Sequence, residues 1–366
     1  MNPTPIPEIS LEPAGVPPLQ LLGCLVARFP VLRSGHRLIR RRLPGGRAAG
    51  VSRWQRVLPL AAFAAFTPVG QAATLIQNFS AASNDRYANS PAFIGSGWDW
   101  SGVGRSSNQT WGTMITSSVF LSASHFHPES GNQMTFFPGN DPAATPVTRT
   151  VAGGQQIGSS DLWLGFLNAT LPPTITAYDF ARESISEAGF TLSGLFDVPA
   201  FVSGLTPTAG GHGAVSATRQ TVGTNRLEGF IEDLTVGGTT GDGLVTLQNL
   251  AGDGVFGFTH TGFEAHPQGG DSGSPLMIVA DGRLVLAGIT WAIGTVDIDP
   301  SLAGVVERPA AAFTYVGSYE DGIVALAPEL SAVPEPASAL ATAVFLASGL
   351  LPRQRGNRVC KSSEGR

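Results

Sequence analysis

Gly269-Gly270-Asp271-Ser272-Gly273-Ser274-Pro275 is the stretch on which the reading of this chain turns. A serine hydroxyl is a poor nucleophile unless a neighbouring base takes its proton. Its reaction also needs backbone N–H donors aimed at the developing oxyanion. Glycines before and after Ser272 let the chain turn tightly and approach a substrate closely. Ser272 is therefore the candidate nucleophile, and a base and an orienting carboxylate must come from elsewhere.

Upstream, Ser122-Ala123-Ser124-His125 closes a β-prone run that begins near Met114. It reads as hairpin strands delivering a histidine, with small residues before it that allow close packing. His125 is the candidate base; His127, without such small residues, ranks second. The third member must orient the imidazole and stabilise its positive charge. Ser160-Asp161-Leu162-Trp163-Leu164 offers Asp161, 36 residues after His125 and 111 before Ser272, with Asp141 and Asp179 as fallbacks.

These three motifs resemble trypsin-like serine peptidases, whose order is His, Asp, Ser. The resemblance covers scattered motifs over most of 95–317. It implies an all-β, chymotrypsin-like fold of two six-stranded antiparallel β-barrels, with targeting segments at both chain ends. It implies an oxyanion hole from the N–H groups of Gly270 and Ser272. Ala287-Gly288-Ile289-Thr290-Trp291-Ala292 is similar to the family's strand that pairs with substrate backbone, so Thr290, Trp291 and Ala292 are expected at the substrate. His266, six residues before Ser272, occupies the position that usually lines the base of the primary pocket. A histidine there argues against a preference for Arg or Lys and favours acidic or polar side chains when protonated. In that family the Asp before the nucleophile often pairs with a freed N-terminus, a place Asp271 would fill, although no clear activation site is visible. His212, in Gly211-His212-Gly213, is read as structural.

Composition agrees with a β-rich, loop-rich extracellular protein: only 13% of residues are charged, against 46 Gly and 27 Pro. Short β-prone runs at 113–122, 161–166, 244–247, 254–261, 275–279 and 284–291 are separated by turn residues, as in sandwiches and barrels. Residues 182–187 read as a short helix and 199–213 as a crossover between halves. Residues 74–330 hold eight Arg, no Lys and 23 acidic residues, a net charge near −15. That excludes nucleic acid and anionic membrane surfaces as natural partners. Cys24 and Cys360 both lie outside this body, so it holds no Cys nucleophile and no Cys-ligated zinc. No cofactor motif is present. Gly241-Asp242-Gly243 reads as an acidic loop that could take Ca²⁺, but no ligand spacing supports such a site.

Both ends read as targeting sequence. Arg53-Trp54-Gln55-Arg56, the apolar residues 57–66 and the small-residue site Gly70-Gln71-Ala72 make a secretory signal peptide over 51–73. Residues 1–50 read as a non-translated or disordered extension, with translation starting at Val51 as the hypothesis. Val333-Pro334-Glu335-Pro336, the apolar residues 337–351 and a basic tail resemble the PEP-CTERM sorting signal of Gram-negative bacteria. Fifteen helical residues span about 22 Å, short of the roughly 30 Å hydrocarbon core, which suits transient membrane contact. The expected organisation is a signal at 51–73, a first barrel with His and Asp at 74–200, a second with Ser at 201–330, and a sorting signal at 331–366. The expected function is a secreted or cell-surface serine endopeptidase acting on protein or peptide substrates, processed by a signal peptidase and an exosortase-type enzyme. The alternative is a non-catalytic surface-binding module on the same double-barrel fold. An esterase or lipase would need a Gly-x-Ser-x-Gly elbow and another residue order. The sequons at Asn78, Asn108 and Asn168 carry no implication in a bacterium.

Overall fold

Two antiparallel strand sets share one connectivity in this protein. A computed structural model describes residues 61–65, 73–190, 193–206, 217–249, 261–297 and 307–332. The chain opens with β1 (Ala61–Ala65) and β2 (Leu75–Ile76), then a short helix α1 (Ala81–Asn84). The first set follows: β3 (Val103–Ser106), β4 (Trp111–Met114), β5 (Val119–Ala123), β6 (Gln133–Phe136), β7 (Val147–Gln156) and β8 (Leu162–Leu167). After β9 (Asp179–Phe180) come β10 (Pro199–Gly204), β11 (Thr221–Arg226), β12 (Gly229–Val236) and β13 (Thr239–Leu247). The last strands are β14 (Ala265–His266), β15 (Pro275–Ala280), β16 (Arg283–Asp297) and β17 (Glu307–Tyr315), followed by helix α2 (Glu320–Leu326).

The first set closes into a barrel in the order β3-β4-β5-β8-β7-β6. The second forms a curled sheet in the order β11-β10-β15-β16-β17-β13-β12. Its two ends are consecutive in the chain, separated only by Leu227-Glu228. The Leu227 N–H donates to Val198 beside β10, and the Glu228 N–H donates to Val245 of β13. One kinked segment thus pairs with β10 through its first half and β13 through its second. With β11–β12 taken as one strand, six strands form a ring with the pairing scheme of the first barrel. This matches the chymotrypsin-like architecture implied by the sequence motifs.

Period-two patterning explains how β5 serves both a barrel interior and the seam between the barrels. Phe120 points into the first core with Met114, Met134 and Phe136. Its neighbours Val119, Leu121 and Ala123 face the seam, packed with Met277, Leu286 and Ile289 of the second barrel. The second core gathers Val202, Leu227, Phe230, Leu276 and Phe313.

Several sequence expectations need correction. Residues 199–204 are not part of a crossover but a barrel strand, β10, because Ala200 and Val202 are buried at period two. The rest of that stretch, with His212, lies outside the described residues. Residues 182–186 are not helical: Arg182 pairs with Glu320 at 2.7 Å and lies over the Phe180 ring, tertiary contacts that outweigh weak local propensity. Gly241-Asp242-Gly243 lies inside strand β13 rather than in a loop. The barrels also exchange arms. Leu75–Ile76 pairs with β14 beside the second barrel, and Gly322 of α2 packs against Ile157 of the first. The apolar residues 61–65 form β1 on β16. Residues 1–50, the remainder of the signal segment through Ala72, most of 254–261 and the sorting signal from 333 onward lie outside the described residues. Among the described residues, no helix is long and apolar enough to cross a membrane.

Candidate active site

Strand register brings His125 and Asp161 together. Ala123 stands opposite Leu162 in the β5–β8 pair. One residue further out, the Ser124 N–H donates to the Asp161 carbonyl at 2.7 Å. The next residue, His125, donates its backbone N–H to Asp161 Oδ1 at 3.0 Å. His125 Nδ1 lies 2.8 Å from Asp161 Oδ2. Two contacts to one carboxylate fix both the main chain and the ring of His125. Burial pushes the Asp161 carboxyl up, while its hydrogen bonds with His125 pull it back down.

Ser272 comes from the opposite barrel, in the turn between β14 and β15. Its Oγ lies 2.9 Å from His125 Nε2. Gly270 at φ +98° and Gly273 at φ +85° are left-handed here, which glycine adopts without strain. A Cβ on Gly273 would fall 2.7 Å from Ser122 Oγ, so the turn sits directly on β5. Ser122 Oγ in turn donates to the Trp111 carbonyl at 2.8 Å. The Trp111 indole N–H donates to the Gly270 carbonyl at 3.2 Å, a second tie between the turn and the first barrel.

Asp271 anchors the turn from below. Its buried carboxylate accepts from the N–H groups of Leu205 and Gln268 and from the Thr74 hydroxyl, each at 2.8 Å. Burial pushes its pKa up to about 7 against the downward pull of those donors. The Ser274 N–H donates to the Asp271 carbonyl at 2.9 Å, and the Gly273 N–H donates to the Thr290 carbonyl at 3.0 Å. Among the described residues, the N–H groups of Gly270 and Ser272 have no protein acceptor. Two unclaimed donors, one on the serine itself and one two residues before it, can receive an oxyanion.

The other sequence candidates lie elsewhere. His127 Nδ1 bonds to the Ser124 carbonyl, and its ring stacks on Trp163 at 3.7 Å. Asp141 bonds to the Ala143 N–H in an exposed turn, and Asp179 pairs with Arg283 at 3.3 Å. Thr290 is held to the Ser272 turn by its own N–H to the Ser274 carbonyl and by a hydroxyl contact with Ser274 at 2.9 Å. Trp291 is buried with Val236 and Ala312, and Ala292 stands opposite Ala312 in β17. His266 is buried in β14 opposite Leu75, and its Nδ1 has no hydrogen-bond partner among the described residues. Burial pushes its pKa down to about 4. The described residues gather no group of three His, Cys, Asp or Glu side chains that could hold a metal.

Sequence reasoning missed the contacts that position the site. Trp111 and Thr74 carry no motif, because their contacts reach residues distant in sequence, and Ser122 was read only as a small residue before His125, not for its hydroxyl bond to the Trp111 carbonyl. Arg86 was missed for the same reason. Fully buried, it donates to Gln220 of the second half and to the carbonyls of Val103, Phe137 and Gly139 of the first.

No family model matches the chain, and no curated protein matches it. Among solved structures it is similar to a mutant of human heparin binding protein (CAP37), at 15% identity over 64% of this chain and 93% of that one, with a TM-score of 0.40. It is also similar to the NS6 protease of murine norovirus 1, at 18% identity over 59% and 90% of the two chains, with a TM-score of 0.33.

Proposed function

We propose that this protein is a serine endopeptidase, with Ser272 as nucleophile, His125 as general base and Asp161 as the group that orients the imidazole. The observation that carries this reading is the continuous relay Ser272 Oγ–His125 Nε2 at 2.9 Å and His125 Nδ1–Asp161 Oδ2 at 2.8 Å. His125 takes the hydroxyl proton as Ser272 Oγ attacks the scissile carbonyl carbon. The carbonyl oxygen, now negative, is received by the Gly270 and Ser272 N–H groups. The protonated imidazole returns that proton to the leaving amine as the C–N bond breaks, which leaves an acyl-Ser272 ester. Water, deprotonated by the same imidazole, then hydrolyses the ester and restores the serine. The buried Asp161 carboxylate holds the ring tautomer and offsets the imidazolium charge. No metal or cofactor enters these steps.

At the primary position His266 supplies no carboxylate to pair with an Arg or Lys side chain, and with burial pushing its pKa down to about 4 it does not supply the imidazolium that would favour an acidic one. The wider setting follows from sequence: export through the signal at 51–73, sorting through the PEP-CTERM-like segment at 331–366, and a mature protein that lacks the residues after about Pro334. Loss of peptide hydrolysis in Ser272→Ala, with an unchanged unfolding midpoint, tests the reading; wild-type turnover in that variant overturns it.

A further inference from the structure

One edge of β16 carries three occupants in succession. β15 pairs with it as far as Ile289. The nucleophile turn follows, since Thr290 exchanges backbone bonds with Gly273 and Ser274. From Ala292 to Val296 the same edge is taken by β1, because β17 already fills the opposite edge. β1 runs antiparallel, with Ala61 opposite Val296 and Ala65 opposite Ala292. Its C-terminal end therefore points along the edge toward Thr290, which is bonded to both residues that follow Ser272.

An unpaired strand edge of this kind accepts an extended peptide by main-chain hydrogen bonding. A peptide lying there in the polarity of β1 would present its C-terminal end to the nucleophile. We propose that Ala61–Ala65 is an intramolecular occupant of the peptide-binding edge 292–296, and that it keeps the uncut chain from taking up substrate. This inference rests on the peptidase reading above, and it deepens that reading by naming the ligand of the edge: an extended, uncharged, apolar peptide segment.

The attachment points on either side of a cut make such a device workable. In sequence, residues 66–73 link β1 to Thr74, and they contain the processing site read at Gly70-Gln71-Ala72. Thr74 is held independently of β1, by its N–H to the Leu205 carbonyl and its hydroxyl to Asp271. β2 is held by its own pairing with β14. Cutting before Thr74 therefore frees the edge without unfastening the N-terminal arm beneath the nucleophile turn.

The test uses the full chain, kept uncut by expression without export. Phe63→Pro with Ala64→Pro removes ladder donors at consecutive positions of β1. Phe63→Val with Ala64→Val retains a strand-compatible segment as control. Three readings are taken: hydrogen exchange at residues 292–296, fluorophosphonate labelling of Ser272, and hydrolysis of fluorescein-labelled casein. The proline pair is expected to raise exchange at 292–296, and to raise casein turnover about tenfold or more as the fraction of open sites increases. The valine pair should match the parent in both. Adding the synthetic peptide Ala-Ala-Phe-Ala-Ala should compete with casein in the proline variant. If exchange at 292–296 does not change, β1 is not the occupant and the inference fails. If exchange rises while casein turnover stays at the parent's level and Ser272 is labelled, the inference fails but the peptidase reading stands. If no form is labelled, the peptidase reading fails and the inference falls with it.

Discussion

The Ser124 N–H meets the Asp161 carbonyl at 2.7 Å, one step beyond the last β5–β8 register pair. This bond sets where both strands end and hence where His125 and Asp161 face each other. The relay should therefore respond as a unit rather than as separate contributions. His125→Ala is expected to lower turnover about as far as loss of the nucleophile. Asp161→Asn should lower it by about 10⁴, through the wrong imidazole tautomer. Steady-state peptide hydrolysis by folded variants checks both, and a drop of tenfold or less in either would break the relay assignment.

His127 provides the internal control. It bonds to the Ser124 carbonyl and stacks on Trp163, with no contact to Ser272. His127→Ala should leave kcat nearly unchanged and cost about 1 kcal/mol of stability through the lost ring contact. Urea unfolding and kinetics on one preparation test this.

Gly273 is where the two barrels touch beside Ser272. Gly273→Ala would add a Cβ 2.7 Å from Ser122 Oγ on a backbone at φ +85°. The strain should cost about 1–3 kcal/mol and shift Ser272 away from His125. A large fall in turnover is expected with a modest fall in the unfolding midpoint. Adding Ser122→Ala should restore part of the loss by removing the hydroxyl the new methyl meets.

Asp271 and His266 should give stability opposite dependences on pH. The Asp271 pKa is raised to about 7 in the folded protein, so its contribution is fully present below the ordinary carboxylate range and is lost as pH rises through about 7. The His266 pKa is depressed to about 4, so its contribution is present above the ordinary imidazole range and is lost as pH falls through about 4. On moving from pH 7.5 to 4.5, the wild type should gain stability relative to Asp271→Asn and lose it relative to His266→Gln. Thr74→Val, which removes one donor to Asp271, should cost about 1 kcal/mol. Unfolding free energies at the two pH values check all three signs.

Much of the architecture was legible because short strands are punctuated locally. The β4–β5 hairpin, β8, β15 and the start of β16 sit where alternating or apolar runs meet turn residues. β10 was misread because Pro199 and Gly204, at its two ends, are residues that commonly mark a connection. The kink between β11 and β12 depends on a change of partner at Leu227-Glu228, which no local signal encodes. In the site, the three side chains that meet, His125, Asp161 and Ser272, stood in local patterns: small residues before a histidine, an Asp opening a β-prone run, and a Gly-rich turn around a serine. Thr74, Trp111, Arg86 and the bond made by the Ser122 hydroxyl were not, since each is defined by a partner from about ten to nearly two hundred positions away. β1 was hidden differently: an apolar run that reads as a signal segment carries no trace of the strand edge it fills.

The central claim is that Ser272 is an activated nucleophile. Labelling the wild type, Ser272→Ala and His125→Ala with a fluorophosphonate, followed by peptide mapping, tests it most directly. The account predicts one adduct per wild-type chain, located on Ser272, none in Ser272→Ala and little in His125→Ala. A wild-type chain that stays unlabelled while folded, or an adduct that persists in Ser272→Ala, would contradict it.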